Sequence, residues 1–166
     1  TGEGRDIHTL DRFFAGMTDE QKAAIEAVAM DMWDPYINRV KHHCPQALIV
    51  FDLFHVVKAF SYVVDEVRRE EVRKATGPMK DVIKGSRYLL LKNRDNLYPA
   101  QADRLDELLK LNTTLNAVYA LKDQLKVIYC YKRSPAAKAA LNNCIAMAEG
   151  IDNVPMAQFI RTLRRH

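Results

Sequence analysis

Two aspartates in the first third of the chain each follow a short apolar run, and this pattern can build a metal site. Asp31 comes directly after residues 25–30, and Asp52 comes directly after residues 47–51. In open α/β sheets, ligands gather at the carboxyl ends of the strands, where both carboxylates would then lie. Two divalent metals held by carboxylates are the usual apparatus for phosphodiester cleavage and transfer, and magnesium prefers oxygen ligands. The pair therefore predicts a metal site that acts on phosphodiesters.

Each of these residues also has a structural interpretation. A strand-terminal aspartate can cap the helix that follows, which suits Asp52 better than Asp31, because Asp34 is expected to cap the next helix. His55 lies one turn after Asp52 on an apolar face, so it is either a satisfied core histidine or a group near the scissile phosphate. Trp33 either packs in the core or offers a stacking surface for a nucleotide. The residue types alone leave these alternatives open.

A strand–helix–strand unit is predicted to position these side chains. Residues 25–30 and 47–51 read as strands because they are short, apolar and bounded by polar residues or proline. Between them, Asp34 as N-cap and Pro35 as the first helical residue predict a helix that stops before Pro45. This order of elements brings Asp31 and Asp52 to the ends of neighbouring strands.

Helices are predicted on both sides of that unit. Upstream, Thr9 is expected to cap a helix over 10–17. Phe13 and Phe14 are expected to form its buried face, and Thr18 begins a capping box. Downstream, one helix is expected from 53 to 74, with Gly77-Pro78 as its breaker. The other predicted helices span 79–92, 99–111, 112–131, 134–149 and 154 onward. The predicted fold class is an α/β fragment that is mostly α.

Charge is unevenly distributed between these regions. Residues 1–52 hold 5 Lys/Arg against 9 Asp/Glu, whereas residues 53–166 hold 20 against 12. An acidic, carboxylate-bearing part beside a basic helical part suits a metal centre next to a polyanion-binding surface. A solvated helical surface rich in lysine explains the same charge equally well.

No apolar run reaches the roughly 18 residues that span a membrane. The chain lacks an initiator Met and is expected to be a piece of a longer protein.

The cysteine pattern and the absence of several catalytic motifs argue against several classes of protein. The three cysteines form no CxxC pair, which is typical of reduced thiols in a cytosolic protein. Cys44 follows His42 and His43, but adjacent helical residues point in different directions, which disfavours a structural zinc. The sequence has no Gly-rich phosphate loop, no HExxH and no GxSxG. These absences argue against a P-loop nucleotidase, a zinc protease and an α/β-hydrolase.

The strings around the two aspartates closely resemble bacterial insertion-sequence transposases of the DDE class, in the group with an Asp-x-Phe-His-Val signature. The specific matches are Ala29-Met-Asp31-Met-Trp33-Asp-Pro-Tyr36, Pro45-x-Ala47 and Val50-Phe-Asp52-Leu-Phe-His55-Val56. Looser matches follow at Asp65-Glu-Val-Arg-Arg69, Lys84-Gly-Ser-Arg87, Leu90-Leu-Lys-Asn93 and Arg161-Thr-Leu-Arg-Arg165. The resemblance therefore covers most of the chain and is sharper in its first half.

This resemblance implies an enzyme with a ribonuclease-H-like core, in which Asp, Asp and Glu hold two Mg²⁺ or Mn²⁺ ions for DNA strand cleavage and transfer. It implies that residues 1–57 are part of that core and residues 58–166 a helical insertion domain. Element order matches Asp31 to the second triad residue, and Asp52 with His55 to an accessory motif of Cys or Asp, two residues, and His. The reverse assignment, with Asp52 as a triad metal ligand, stays open. The first Asp and the final Glu are expected outside this chain, so the fragment alone is expected to be inactive.

The resemblance also implies partners and a place in the cell. Double-stranded DNA, as transposon ends and target, is the expected partner, in the cytoplasm of a bacterium and associated with its nucleoid. A two-stranded sheet with open edges is marginal, so pairing with a second copy, and hence a homo-oligomer, is expected. The alternative function is a non-enzymatic helical module that binds DNA or protein. A weaker third reading is a metal-dependent nuclease with the same core.

Overall fold

The chain divides into two compact units, residues 1–56 and 57–166. The computed structural model describes residues 7–131 and 134–165. Helices dominate the described part, and the sheet lies in the first unit. Among these residues, no helix is both long enough and apolar enough to cross a bilayer.

The first unit is a strand–helix–strand motif preceded by two short helices. Its elements are α1 (Ile7–Ala15), α2 (Asp19–Ala23), β1 (Ala27–Met30), α3 (Asp34–His43) and β2 (Leu48–Phe51). The strands pair in parallel, with Ala27 opposite Leu48 and Met30 opposite Phe51. Parallel strands need a crossover between them, and α3 supplies it. The predicted strand–helix–strand order is thus confirmed, whereas a ribonuclease-H-like core remains a prediction because two strands are too few to define it.

One face of this small sheet packs on a core and the other does not. Phe14, Val40 and Cys44 form the buried centre of the core. The partly buried residues around it are Leu10, Met17, Ile25, Val28, Met30, Ala47 and Ile49. Alternate strand residues face the other way, and Leu48 on that face is 66% exposed. The alternation is that of a sheet covered on one side only.

The second unit is built of helices. α4 (Leu53–Lys74) begins in the first unit and continues into the second. The others are α5 (Gly77–Lys84), α6 (Arg87–Leu91), α7 (Pro99–Leu111), α8 (Thr113–Ile128), α9 (Ser134–Glu149) and α10 (Val154–Arg165). α8 packs against α7 and α9, and α9 against α10. Leu105, Leu115 and Val118 are completely buried there, as the apolar spacing of these helices requires.

Several predicted boundaries are confirmed, and several are wrong. The capping box at Thr18 forms as expected. Thr9 is not the N-cap residue of α1, because the helix begins two residues before it. Phe14 is buried but Phe13 is 56% exposed, since neighbouring helical residues point about 100° apart. Asp34 is the first residue of α3, and Trp33 takes the N-cap position. The Asp34 carboxylate therefore lies in the first turn, where it complements the helix dipole.

The helix predicted over 79–92 is in fact two helices. Gly77 and Pro78 open α5 instead of lying between helices, because proline fits a first helical turn. Gly77 takes φ +57°, a left-handed conformation that glycine adopts without strain. A turn at Gly85-Ser86 then separates α5 from α6. The Ser86 hydroxyl donates to the carbonyl of Ile83 at 2.7 Å, which is the local competition with helical bonding that favours a break.

Candidate metal centre

The parallel pairing of β1 and β2 brings the two aspartates to one edge of the sheet. Met30 and Phe51 are opposite each other at the carboxyl ends of the strands, and Asp31 and Asp52 are the next residues. The Asp52 amide donates to the carbonyl of Met30 at 3.0 Å, which extends the ladder by one bond. The side-by-side placement expected from the strand–helix–strand pattern is therefore present.

His55 completes this group from the first turn of α4. Its Nδ1 lies 2.5 Å from Asp31 Oδ1 and 3.2 Å from Asp52 Oδ2. One ligand atom from each of the three side chains can be chosen so that all lie within 4.8 Å of one another. The side chains of Asp31, Asp52 and His55 are 36%, 48% and 33% exposed. The structure thus joins all three predicted site residues in a cluster that water can reach.

Asp52 caps α4 and also belongs to the cluster. Its Oδ1 accepts the amide of Phe54 at 2.8 Å, as an N-cap residue does. Its Oδ2 faces His55 instead. Asp31 has a different backbone setting, because its carbonyl accepts the amide of Trp33 at 2.8 Å and α3 starts only at Asp34. The cap and the cluster therefore use separate oxygens of Asp52.

The His55 imidazole lies between two carboxylates that repel each other. Ionised carboxylates only accept hydrogen bonds, so the ring nitrogen that faces both, Nδ1, carries a proton. That proton offsets part of the repulsion between Asp31 and Asp52. In the neutral ring, Nε2 is then left with its lone pair. The arrangement gives a cation-attracting pair of carboxylates and one nitrogen that can accept a proton.

The donor set fits a hard divalent cation. Two carboxylates supply oxygen ligands, and their partial exposure leaves space for water and phosphate oxygens, which magnesium retains in protein sites. Among the residues that the structure describes, this is the one group of three or more His, Cys, Asp or Glu side chains close enough to share an ion. The cluster therefore suits the Mg²⁺ or Mn²⁺ that the sequence predicts.

The other candidates of the sequence lie outside this cluster. Trp33 is 41% exposed, with its ring edge-on to Tyr36 at 4.4 Å between centroids. Cys44 is buried in the core. His43 stacks on Phe14 and bonds Asp11 Oδ1 at 3.0 Å through Nε2. The bond from His43 lowers the pKa of Asp11. These groups pack and pair within the first unit.

Two charged centres of the second unit were not predicted as such from the sequence, although Asp65 and two of its arginines lie in one of the looser family matches. Asp65 is contacted by three arginines, two of which follow it at i+3 and i+4, a spacing that helical patterning could have indicated. Lys122 is 1% exposed. It lies four residues after Val118 and three before Leu125, so helical spacing placed it on the inward face.

Comparisons with known proteins agree with the resemblance read from the sequence. A transposase family model, DDE_Tnp_ISL3, matches residues 1–166. The chain is 40% identical over 166 residues to the transposase for insertion sequence element IS1001 of Bordetella parapertussis, covering 98% of this chain and 41% of that protein. It is 27% identical over 186 aligned positions to the transposase for insertion sequence element IS1557 of Mycobacterium tuberculosis, covering 98% and 42%. The chain thus spans less than half of these relatives, and no solved structure matches it significantly.

Proposed function

The chain belongs to the DDE_Tnp_ISL3 transposase family, and from this membership we propose that it is part of a DNA transposase that cleaves and joins DNA strands with divalent metal ions. The family match across the whole chain carries the proposal. The cluster of Asp31, Asp52 and His55 supplies a site of the right chemistry. Double-stranded DNA, as transposon ends and target, is the proposed substrate, and a homo-oligomer is the proposed assembly.

Asp31 is the proposed metal ligand of the catalytic triad. It directly follows β1, and the N-cap position of α3 is taken by Trp33. Asp52 has one oxygen on the Phe54 amide, which leaves the other for the cluster and suits an accessory ligand. When bound, Mg²⁺ or Mn²⁺ would stabilise the attacking and leaving oxygens of a phosphodiester. Either carboxylate can orient such an ion, and the assignment is settled by comparing their variants.

His55 is proposed to position both carboxylates and to handle a proton. Its Nδ1 is hydrogen-bonded to Asp52 Oδ2 and lies 2.5 Å from Asp31 Oδ1, which fixes the ring between them. The same bonds leave Nε2 as the nitrogen that can accept a proton near the scissile phosphate. We infer that His55 acts on the reaction through Nε2 and on the metal through the orientation of the two aspartates.

The remaining triad members are proposed to come from the rest of the parent protein. One Asp before the strand–helix–strand unit and one Glu after the helical region would complete a ribonuclease-H-like site. This chain alone would then bind divalent ions weakly and would not cleave DNA. The helical second unit would serve as an insertion domain beside that core.

The test uses the full-length parent protein and a duplex that carries its own element ends. Strand cleavage and strand joining are measured with Mg²⁺ and with Mn²⁺. Asp31→Asn is expected to lower both rates by at least about 10³-fold, or roughly 4 kcal/mol in the barrier, because a ligand oxygen is lost. Asp19→Asn is the matched control, since it removes an exposed carboxylate of α2 from the same unit.

The comparison between variants separates the possible roles. If Asp52 is accessory, Asp52→Asn keeps the helix cap and loses less activity than Asp31→Asn. A larger loss in Asp52→Asn would move the triad assignment to Asp52. Hydrolysis without joining would indicate a nuclease. DNA binding without any metal-dependent cleavage would favour the non-enzymatic helical module.

A further inference from the structure

The turn between α5 and α6 carries exposed cations on both sides. Lys84 is the last residue of α5 and Arg87 the first residue of α6, and both are exposed. Between them, Ser86 is 1% exposed, and its hydroxyl is bound to the carbonyl of Ile83. Because Ser86 is buried at the centre of the turn, the backbone of the turn is fixed to the interior of the second unit. The side chains of Lys84 and Arg87 therefore extend into solvent from a fixed backbone.

A buried arginine of α4 secures the same turn. Arg68 is 8% exposed, and its Nη1 donates to the carbonyl of Lys84 at 3.4 Å. Its Nε and Nη2 donate to Asp65 Oδ1 at 2.9 and 2.7 Å. The end of α5 is therefore tied to α4 by a guanidinium that is itself held by a carboxylate. Because the turn is already ordered, a ligand that binds there loses less free energy to ordering the side chains that it contacts.

Asp65 also orients a second and a third arginine. Its Oδ2 lies 3.1 Å from Arg69 Nη2 and 3.3 Å from Arg87 Nε. A single carboxylate cannot neutralise three guanidinium groups. Arg87 is held only through Nε and is 49% exposed. In the described ranges its two terminal nitrogens have no hydrogen-bond partner, so the part of the guanidinium best suited to a phosphate is left open.

Arg104 of α7 adds a cation across the turn. Its Nη2 lies 3.9 Å from the position that a Cβ on Gly85 would take. Tyr88 is 68% exposed next to Arg87, whose guanidinium carbon is 5.7 Å from the tyrosine ring centre. We call the basic side chains around this turn the turn cluster: Arg68, Arg69, Lys84, Arg87 and Arg104. Asp65 and Glu66 of α4 pair with arginines of this cluster, whereas Lys84 and Arg104 are exposed on either side of the turn.

We propose that the turn cluster contacts the phosphate backbone of duplex DNA, with Arg87, Lys84 and Arg104 as the contacting residues and Asp65 as the residue that positions Arg87. This inference rests on the proposed function, because it names the surface on which that substrate lies. A fixed guanidinium with open terminal nitrogens matches the geometry of a phosphate, to which it can donate two parallel bonds. Contacts of this kind position a duplex and do not read its sequence.

The test measures binding of this chain to a mixed-sequence duplex of about 30 base pairs by fluorescence anisotropy, at salt from about 50 to 200 mM. Arg87→Gln combined with Arg104→Gln is expected to weaken binding at least about tenfold at the lowest salt. Each lost phosphate contact should reduce the salt slope by about one. Lys138→Gln is the matched control, an exposed cation on α9, and should change affinity less than about twofold.

A conservative variant and a second polyanion keep the test decisive. Arg87→Lys retains the charge but loses the fork, so it should keep the salt slope and still bind more weakly than the unchanged chain. Polyglutamate of matched charge is the second probe, and the variants should affect it less than they affect DNA.

The proposal is overturned if Lys138→Gln weakens binding as much as the turn variants, if the unchanged chain binds no duplex at about 50 mM salt, or if only polyglutamate binding changes. Far-UV circular dichroism confirms that each variant is folded. A parent protein that binds DNA through this turn but fails to cleave it would contradict the proposed function alone.

Discussion

In the first unit, the ionisable side chains of the candidate site are in contact with water, whereas in the second unit comparable groups are buried and paired. Asp31, Asp52 and His55 are each between a third and a half exposed. Asp65 and Lys122 are 6% and 1% exposed. Two carboxylates share one imidazole in the first unit, but one carboxylate serves three arginines in the second.

The difference separates charge that is available for chemistry from charge that holds the fold. A cluster with surplus negative charge and access to water can take up a cation without losing its packing. A buried carboxylate such as Asp65, held by several arginines, is not itself available to a ligand, and removing it leaves those arginines without a counter-charge. Equal substitutions in the two units should therefore have unequal effects on stability.

Asp65→Asn should give the largest loss of stability. It removes the charge that organises three arginines, of which Arg68 is itself buried. Breaking a buried pair in this way costs about 3 kcal/mol in the free energy of unfolding. Urea unfolding followed by far-UV circular dichroism, which reports mainly the helical second unit, measures the change. Glu66→Gln is the control and should cost less than about 1 kcal/mol, because it pairs with the half-exposed Arg69.

Equal unfolding free energies for Asp65→Asn and Glu66→Gln would contradict the contrast. They would mean that the arginine network adds nothing that an exposed ion pair does not. In that case the burial of Asp65 would not mark it as a structural residue.

Lys122→Met should give the next largest effect. The Lys122 ammonium donates to the carbonyls of Leu90 at 2.6 Å and Lys92 at 2.8 Å, where α6 ends. It also lies 3.9 Å from the centre of the Tyr119 ring. The last carbonyls of a helix have no partner within the helix, so methionine would leave these two without a donor. The expected loss is about 2 kcal/mol at pH 7.

The pH dependence gives this prediction a second measurement. Burial lowers the pKa of Lys122 to about 8, from 10.5. As pH rises above about 8, the folded chain releases this proton while the unfolded chain keeps it, up to about 10.5. The contribution of Lys122 to the free energy of unfolding therefore rises with pH in that window. The difference in unfolding free energy between the unchanged chain and Lys122→Met should grow by up to about 3 kcal/mol. Burial also raises the pKa values of Tyr119 and Cys144, so the prediction concerns the difference between the two proteins, in which any contribution that the substitution leaves unchanged cancels. A difference that stays constant from pH 7 to 10 would contradict the prediction.

The sequence predicts the first unit better than the interior of the second. The reason is the sequence separation between the residues that contact each other, which is larger in the second unit. Strand length, the crossover helix and the aspartates that follow the strands are local features, and the parallel direction of the strands follows from the crossover helix. Asp65 and Arg68 are also local, at i+3. Lys122 binds carbonyls that are 32 and 30 residues away, and Arg87 reaches Asp65 from another helix. Helical spacing indicates that Lys122 faces inward, but it does not indicate which groups accept hydrogen bonds from its ammonium.

For His55 the sequence left two interpretations, and the structure distinguishes them in part. A core histidine would be buried, but the His55 side chain is 33% exposed and lies against two carboxylates. Spacing placed it one turn after Asp52 but could not show that Asp31 is the closer partner. That contact depends on the register between β1 and β2, which only the folded sheet sets.

Asp31→Asn should give the smallest change in stability, although it is the most damaging substitution for the proposed catalysis. The Asp31 side chain is 36% exposed, and an asparagine oxygen can still accept from His55 Nδ1. The change also removes a negative charge close to Asp52, so the free energy of unfolding should stay within about 0.5 kcal/mol of the unchanged chain. Trp33, the single tryptophan, reports unfolding of the first unit by its fluorescence. A loss approaching that of Asp65→Asn would mean that the cluster is a structural ion pair.

The same unfolding measurement, repeated with Mg²⁺, tests whether the cluster binds a metal ion. An incomplete site with a millimolar dissociation constant would raise the stability of the unchanged chain by about 1 kcal/mol at roughly 10 mM Mg²⁺, because only the folded state binds. Asp31→Asn should lose this increment, whereas Asp19→Asn should keep it. If micromolar Mg²⁺ saturated the effect instead, the chain would hold a complete metal site of its own. The exposed carboxylates of the first unit would then need no ligand from the rest of the parent protein.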